Sequence, residues 1–552
     1  MCPYIFKVLE ITETMKRITC LFISAFFLAG GVAYAQGEMD AYKMSQTDLN
    51  GTARYLGMSG AFGALGGDIS SMSTNPAGLG IYRSSEVVTT ISLSSIKANT
   101  NWNGSKADES KTRFNFDNIA YVGYFPTGND EGIVGWNLGV SYNRVKSFNR
   151  TYRMNGAQAY SLADYMADLS YGIAEKDLQL VEGGYDPYFD SDIPWLSTLG
   201  YEAGFFEPYQ KGGKEYHSSF GKQGANGWEA YSPQNVDLQV NEKGSIGQYN
   251  FSFATNISDR FFLGATVAIT DMDYSLSTKY TEDFSTTTYA WLDNGLTTSG
   301  TGYAFNLGAI VRPTDFLRVG VAYNSPTWYK LTDYFHGSAE TIINDQTWGG
   351  VHNTPDYQSG SYHMRTPDRW IFSAAGVGKN FLVSVDYELT NYKRMNLNDL
   401  DGKDMPQQKD IKNDFGMSGT LKVGAEVKIT PQFSVRAGTM WRTSPMKQHV
   451  KDGRSTINPE TGEYFVDAIG IVGTIPNYTV DKGINSYSIG LGYRFTPSFY
   501  ADIACVYREY KEDAYAFPST FNAKDGSTFV KSDPASLKTK TTQVALTLGY
   551  KF

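Results

Sequence analysis

This 552-residue sequence has little charge, few cysteines and no basic surplus. Charged residues make up 19% of the chain, and the formal net charge is −9. Without an excess of lysine and arginine, nucleic acid is not an expected partner. Repeated apolar runs of about 20 residues, which a bundle of transmembrane helices needs, are also absent. The sequence therefore excludes a helical membrane protein and argues against a nucleic-acid-binding protein.

The N-terminus has the features of a secretory signal peptide. A basic pair at 16–17 precedes a mostly apolar run, and Ala-Tyr-Ala at 33–35 has the small-x-small pattern of a cleavage site. We predict a signal peptide at 1–35, with Met15 as its true start. Cleavage leaves Cys505 as the remaining cysteine, so an internal disulfide cannot stabilise the exported protein.

Aromatic residues are abundant, at 14% of the chain, and there are 56 glycines. From about residue 85 onward, apolar and polar residues alternate with a period of two, which predicts strands with one apolar face. In one such stretch the apolar positions are Trp136, Leu138, Val140 and Tyr142. Because strands of a soluble β-sandwich alternate in the same way, the pattern alone leaves both architectures open.

Three further features favour a transmembrane barrel. The alternating segments are about 10–15 residues long, and a tilted strand needs about 9–11 to cross a bilayer. Short connections alternate with long ones, as periplasmic turns alternate with outer loops. The six short connections are 126–132, 256–260, 312–316, 378–380, 430–432 and 496–498; the seven long ones are 99–113, 149–245, 277–300, 331–364, 395–414, 444–484 and 511–537. The third feature is the last alternating segment, which ends at Phe552 and resembles the signal that the barrel assembly machinery recognises.

We therefore predict an all-β protein, a transmembrane antiparallel barrel of about fourteen strands over residues 84–552. A long extracellular insertion is expected at about 149–245. Since a closed barrel leaves no strand edge unpaired, we expect a monomer surrounded by outer-membrane lipid.

Residues 36–83 do not alternate and predict a plug. Their stretch 57–68 is rich in glycine, which permits close packing and unusual backbone angles. A phosphate-binding loop is excluded because no Gly-Lys-Ser/Thr closes the stretch, and a dinucleotide site would need a preceding strand. A compact segment of this kind, placed before the first strand, is able to fold into the lumen.

The stretch 57–79 resembles the N-terminal signature of the FadL/TodX family, outer-membrane transporters of long-chain fatty acids and other hydrophobic compounds. The resemblance rests on a Gly/Ala-rich run, then Asp68, then Asn-Pro-Ala at 75–77; segments 364–370 and 385–392 also resemble later strands of the family. It implies a fourteen-stranded barrel with an N-terminal hatch inside. The gating residues it implies are Gly57, Gly60, Gly63, Gly66, Gly67, Asp68, Asn75, Pro76, Ala77 and Gly78.

The resemblance also implies a mechanism. Outer loops capture a hydrophobic small molecule, most simply a fatty acid, and pass it to a site beside the hatch. The hatch then moves, and the ligand diffuses passively down its gradient and leaves sideways into the membrane.

Within the insertion, two apolar clusters are candidates for ligand capture. One follows Ser161 at helical spacing, and the other follows Pro194. The predicted capture residues are Leu162, Tyr165, Met166, Leu169, Trp195, Leu196, Leu199, Phe205 and Phe206. The alternative is that these side chains only pack the insertion onto the barrel.

No constellation predicts catalysis, a metal site or a cofactor. The five histidines lack the paired spacing of a metal site and have no cysteine ligands beside them; they are His217, His336, His352, His363 and His449. We therefore expect that the protein is not an enzyme. The alternative function is a surface-exposed binding protein, a haem receptor or adhesin, on a barrel scaffold.

Overall fold

The computed structural model describes residues 37–225, 227–358, 361–452, 469–471, 473–522 and 527–552. The predicted signal peptide lies outside the described residues. Among the residues that the structure describes, no helix is long and apolar enough to cross a membrane.

Fourteen antiparallel strands form a closed barrel, which confirms the predicted fold. The first and last strands pair from Glu86↔Lys551 to Asn101↔Ser536 and so close the wall. Closure pairs the backbone groups of the two end strands, which would otherwise be exposed where no water is present. The strands are β1 Glu86–Trp102, β2 Ser105–Pro126, β3 Ile133–Ser147, β4 Asn235–Ile257, β5 Phe261–Asp283, β6 Tyr289–Val311, β7 Leu317–Asn324, β8 Arg369–Val377, β9 Phe381–Asn391, β10 Met417–Lys428, β11 Phe433–Arg442, β12 Tyr478–Arg494, β13 Phe499–Tyr515 and β14 Ala535–Lys551.

The apolar residues of the alternating pattern face outward. On β5, for example, Leu263, Val267 and Ile269 are about half exposed, as lipid-facing side chains are in an isolated barrel. The intervening residues face the lumen and are small, polar or charged. The six short turns lie where the sequence predicts them, because Gly, Asn, Asp and Pro terminate the alternation there.

The long connections are shorter than predicted, because many strands continue far beyond the membrane. The chain turns at 103–104, not over 99–113, and β5 and β6 leave only 284–288 between them, not 277–300. Above the membrane the outward face is polar, so the alternation that reveals a strand disappears while its ladder of hydrogen bonds continues.

Shorter strands extend the wall on the outer side. Pro326 and Pro367 interrupt two neighbouring strands at similar heights, since proline has no N–H for the ladder. The extensions are Arg150–Gly156, Trp328–Ile343, Gln346–Thr347, His352–Asn353, Tyr357–Gln358, Tyr362–Arg365 and Asn396–Asn398.

The insertion folds into a cap over the outer end of the barrel. Its helices are α4 Leu162–Leu169, α5 Glu175–Leu178, α6 Pro187–Asp190 and α7 Trp195–Glu202, after α1 Glu38–Ser45, α2 Ala53–Gly57 and α3 Ser71–Thr74 in the N-terminal segment. Two hairpins complete the cap, Phe206–Pro208 with Tyr216–Ser218 and Gly221–Gly224 with Gly227–Ala230. The remaining elements are α8 Gln408–Asp414, α9 Gln448–Asp452, the hairpin Thr520–Phe521 with Thr528–Val530, and 3-10 turns at Pro76–Ile81 and Tyr392–Arg394.

Candidate functional site

The N-terminal segment, residues 37–83, lies inside the barrel against a set of inward-facing glycines that we call the glycine socket. A Cβ atom added to any of these glycines would meet the segment at 3.1 Å or less. Seven strands each contribute one member: Gly139, Gly264, Gly308, Gly320, Gly424, Gly438 and Gly490. The absence of side chains at these positions lets the backbone of the segment approach the wall.

Asn75 and Pro76 approach the glycines of the socket more closely than the other residues of the segment do. Asn75 packs on Gly308, and Pro76 packs on Gly264. The Asn75 amide nitrogen donates to the carbonyl of Gly63 at 2.6 Å, and its oxygen accepts from the Ala77 N–H at 3.2 Å. The Asn-Pro-Ala motif therefore ties two parts of the segment together at the wall.

The other predicted gating residues shape the segment itself. Gly60, Gly66 and Gly67 have φ values of 77°, 60° and 69°, which residues with a Cβ adopt at a cost. Gly57 lies against Gly490 of the socket, and Gly78 packs against Gly66. Whether these residues gate transport remains a prediction.

Asp68 and Thr52 fix the start of α2. The Thr52 hydroxyl donates to Asp68 Oδ2 at 2.7 Å and accepts from the Tyr55 N–H at 3.1 Å. The other Asp68 oxygen accepts from the Ser70 N–H at 2.9 Å. A buried carboxylate thus joins the two halves of the segment.

Replacing Thr52 with alanine is expected to loosen the segment locally. It removes an N-cap, typically about 1 kcal/mol, and a bond to a buried carboxylate. Amide hydrogen exchange around Tyr55 should therefore accelerate roughly tenfold, the factor for about 1.4 kcal/mol, while exchange in the barrel strands stays the same. Ser84→Ala, just outside the segment, is the control; equal exchange in Thr52→Ala and wild type would show that the cap does not hold α2.

A buried ion-pair network anchors the segment to β10, β11 and β13. Arg54 of α2 lies 3.0 Å from Glu426, which also pairs with Arg436 at 2.6 Å. Arg436 in turn pairs with Asp502 at 2.6 Å. Asp386 accepts the N–H groups at 62 and 63 at 2.9 and 2.8 Å. The alternation places these wall charges on the lumen face, but Arg54, a lone cation in an apolar stretch, is not evident from the sequence.

A cavity of about 350 Å³ lies in the lumen beside the N-terminal segment, and wall strands and residues 475–479 also line it. Its lining mixes apolar side chains, among them Leu49, Ile96 and Phe148, with charged ones. Nine lining residues are basic and five are acidic. The basic ones are Lys43, Arg113, Arg144, Lys146, Arg150, Arg369, Lys422, Arg442 and Arg508, and the acidic ones are Asp40, Asp48, Glu242, Glu388 and Glu512. Seven of the nine basic side chains lie within 4.0 Å of a carboxylate, and in the described part of the chain Arg113 and Arg508 do not. An anionic amphiphile would place its apolar chain on the apolar side chains and its charge near these cations.

Two of these cations point to a position for an anionic group. Lys146 donates to the Gln46 amide at 2.9 Å and lies 4.0 Å from Asp48. Arg508 donates to the Leu49 carbonyl at 3.2 Å and makes no ion pair within 4.0 Å in the described part of the chain. Burial raises the pKa of Asp48, but the positive charges of Lys146 and Arg508 outweigh it and lower that pKa. Asp48 is thus the carboxylate that these two cations stabilise in this structure.

The wall beside the cavity has a gap between β2 and β3. These strands pair from Asn118↔Asn143 to Pro126↔Gly135, although β2 begins at Ser105. Beyond Asn118 and Asn143, the described residues of the two strands form no ladder.

Residues 48–50 of the N-terminal segment cover the edge of β3 that this wall gap leaves. The Asp48 N–H donates to the Val145 carbonyl at 2.9 Å, and the Ser147 N–H donates to the Asp48 carboxylate at 2.9 Å. The Asn50 amide donates to the Arg144 carbonyl at 2.6 Å. The segment thus substitutes for the missing neighbour of β3.

The predicted capture residues lie in the cap and face inward. Eight of the nine are buried and Leu169 is half buried, and they belong to one apolar cluster that extends from the cap to α1. Trp195, for instance, packs on Phe335 with ring centroids 4.9 Å apart. In this conformation they pack the cap onto the barrel, and capture through them requires the cap to move.

The described residues contain no group of three or more His, Cys, Asp and Glu side chains that could hold a metal ion.

Comparison with known proteins finds a family model that matches part of the barrel. Residues 235–466 match the family described as outer membrane protein transport protein (OMPP1/FadL/TodX). The resemblance to the FadL/TodX family is confirmed. The matched residues make up less than half of the chain, which is a β-barrel protein of the outer membrane and resembles the FadL/TodX family over that part. No curated protein matches it.

Solved structures of FadL/TodX-type proteins align with most of the chain. A Pseudomonas aeruginosa FadL homologue has a TM-score of 0.48 at 15% identity, over 92% of this chain and 99% of that one. The Pseudomonas putida toluene transporter TodX has a TM-score of 0.48 at 12% identity, and the Ralstonia pickettii toluene transporter TbuX has 0.45 at 13%; both alignments cover 92% of this chain and 99% of the other.

Proposed function

We propose that the protein takes up long-chain fatty acids, or anionic amphiphiles like them, by passive diffusion across the outer membrane. The observation that carries the proposal is the cavity beside the N-terminal segment, which combines apolar walls with more basic than acidic side chains. A pocket of this kind buries an acyl chain and orients its carboxylate. A neutral aromatic hydrocarbon would offer these cations only the face of its ring, which is a weaker partner than a carboxylate.

The N-terminal segment acts as the hatch in this proposal. It fills the lumen below the cavity, so a ligand that reaches the cavity leaves only after part of the segment moves. Residues 48–50 are the part that we assign to this movement, because they touch both the cavity and the wall gap. Their displacement would open a sideways route into the membrane.

Lys146 and Arg508 are the proposed partners of the carboxylate. Replacing both with glutamine should reduce the palmitate retained by the purified barrel roughly tenfold or more, since a hydrogen bond to a charged group contributes about 1.5–3 kcal/mol. Retention of hexadecanol, which has the same chain and no charge, should stay the same. Both ligands are quantified by mass spectrometry of the protein after exposure to an equimolar mixture.

The control variant is Lys279→Gln, which removes an exposed charge from the outer wall and should leave both ligands unaffected. Equal loss of palmitate and hexadecanol in the double variant would mean that the two cations maintain the shape of the cavity and do not bind the carboxylate. If wild type retains neither ligand, the proposed function itself is wrong.

A further inference from the structure

Four lysines lie together on the outer wall, on β1, β13 and β14. They are Lys97, Lys511, Lys538 and Lys540, which we call the lysine patch. Lys97 is directly opposite Lys540 in the ladder of β1 and β14, and Lys511 is directly opposite Lys538 in that of β13 and β14. Directly opposite residues have Cβ atoms about 4.5–5.5 Å apart, and successive outward residues of a strand are about 7 Å apart. Four positive charges are therefore gathered in a small area.

The patch lies just above the lipid-facing belt. Leu93 and Val544 are opposite each other and 52% and 40% exposed, and they form the last apolar row of this wall sector. The next outward row is Ser95 with Thr542, and the row after that is Lys97 with Lys540. Two rows correspond to about 13 Å along the strand, and to less along the barrel axis because strands tilt. Lys511 with Lys538 lies one row further out. The patch therefore begins just above the apolar belt, next to the lipid head groups of the outer leaflet.

The arrangement is unfavourable without an anion. Like charges directly opposite each other destabilise a strand pair, and here two such pairs are adjacent. Glu509 is the carboxylate within the patch, facing Lys540 in the ladder and lying 3.4 Å from Lys511. Lys97, Lys538 and Lys540 have no carboxylate within 4.0 Å among the residues that the structure describes.

Neighbouring carboxylates do not neutralise the patch. Asp513, one row further out, pairs with Lys482, and Asp108 of β2 accepts from Asn99.

The other side of the barrel differs at this level. On β5 and β6, Lys279 lies 3.8 Å from Asp293. Asp271 and Asp273 of β5 lie in the rows just above the apolar belt, where β14 carries lysines. This sector also has outward lysines, Lys243, Lys279 and Lys330, but it intersperses them with carboxylates, whereas the patch places lysines directly opposite each other.

The geometry points to a binding site for the phosphate groups of lipopolysaccharide in the outer leaflet. Lysine ammonium groups bind phosphate as point charges. Positive side chains next to a membrane surface favour anionic lipid strongly at short range. The patch faces the membrane and not the lumen, so this lipid would be a neighbour of the barrel and not its transported ligand.

The test uses the full protein in phosphatidylcholine nanodiscs that contain lipid A, either with both phosphates or enzymatically dephosphorylated. Native mass spectrometry counts the lipid A molecules that stay on the barrel after release from the disc. Wild type should retain bisphosphorylated lipid A and not the dephosphorylated form. The variant Lys97→Gln, Lys538→Gln, Lys540→Gln should retain roughly tenfold less or lower still, because each lysine near an anionic surface contributes substantially.

A matched control removes three charges from the other sector, Lys243→Gln, Lys279→Gln, Lys330→Gln, and should retain lipid A as wild type does. Folding of all variants is checked by electrophoresis in detergent, in which a folded barrel stays compact in the unheated sample and unfolds in the heated one. The proposal is overturned if the patch variant retains as much lipid A as wild type, or if both lipid A forms bind equally. Displacement by inorganic phosphate at an equal phosphate concentration would overturn the assignment to lipid.

Discussion

The substitution Gly308→Leu is expected to displace the N-terminal segment from the lumen and to raise the ion conductance of the barrel. An added side chain would overlap the Asn75 amide, whose own bond to the Gly63 carbonyl holds the segment folded. Overpacking of this kind costs about 1–3 kcal/mol or more, so the displaced population should rise roughly 5- to 150-fold. Ion current through single barrels in a planar bilayer measures this displaced population, because an empty lumen conducts ions and a filled lumen does not.

The neighbouring residue supplies the control. Ala309→Leu adds the same side chain to the same strand, but residue 309 faces the membrane, as its ladder partners Leu263 and Val321 do. It should leave the current at the level of wild type. If Gly308→Leu also leaves the current at the level of wild type, the segment tolerates a larger side chain at this position. Close packing against the socket would then not be what holds the segment in the lumen.

The barrel was predictable because each strand shows its lipid-facing and lumen-facing sides in its own sequence. Each strand must present apolar side chains to lipid and polar ones to the lumen, so residues such as Leu263 and Thr266 reveal their faces by parity alone. Beyond the membrane both faces of a strand are polar, so odd and even positions no longer differ in polarity and the sequence does not distinguish a strand from a loop. That is why the connections at 99–113 and 277–300 were predicted as loops, although strands occupy most of them.

The candidate site was predictable only in part. The Asn-Pro-Ala motif at 75–77 stands out because few other segments combine those residues with so many glycines. Its partners in the socket do not stand out, since a glycine such as Gly308 looks in sequence like any small lumen residue. The cavity cations Lys146 and Arg508 are 362 positions apart in the chain, and only closure of the barrel brings both to Asp48.

The capture residues illustrate a further limit. Helical spacing correctly indicates that Leu162, Tyr165 and Met166 share one face, and the structure has a helix there with Ser161 as its N-cap. Periodicity does not say whether an apolar face meets a ligand or another part of the protein. In the described conformation it meets the protein.

A disulfide between residues 48 and 145 is expected to abolish fatty-acid uptake. The Asp48 N–H donates to the Val145 carbonyl at 2.9 Å, so the two residues lie side by side, and a disulfide spans Cα atoms about 4.4–6.8 Å apart. In a Cys505→Ser background, Asp48→Cys with Val145→Cys would fix the covering residues to β3. Because the ligand then cannot pass the wall gap, uptake of radiolabelled palmitate by cells should fall to the level of cells without the protein, and a reductant should restore it.

The same chemistry placed elsewhere separates locking from the presence of a disulfide. Ser95→Cys with Thr112→Cys joins β1 to β2 at opposite positions of their ladder and leaves residues 48–50 free. Its uptake should equal that of wild type with and without reductant. Full uptake by the oxidised 48–145 variant would mean that the ligand leaves without moving this part of the segment. The exit would then lie through the socket towards the periplasm, and in that case Gly308→Leu should raise uptake and current together.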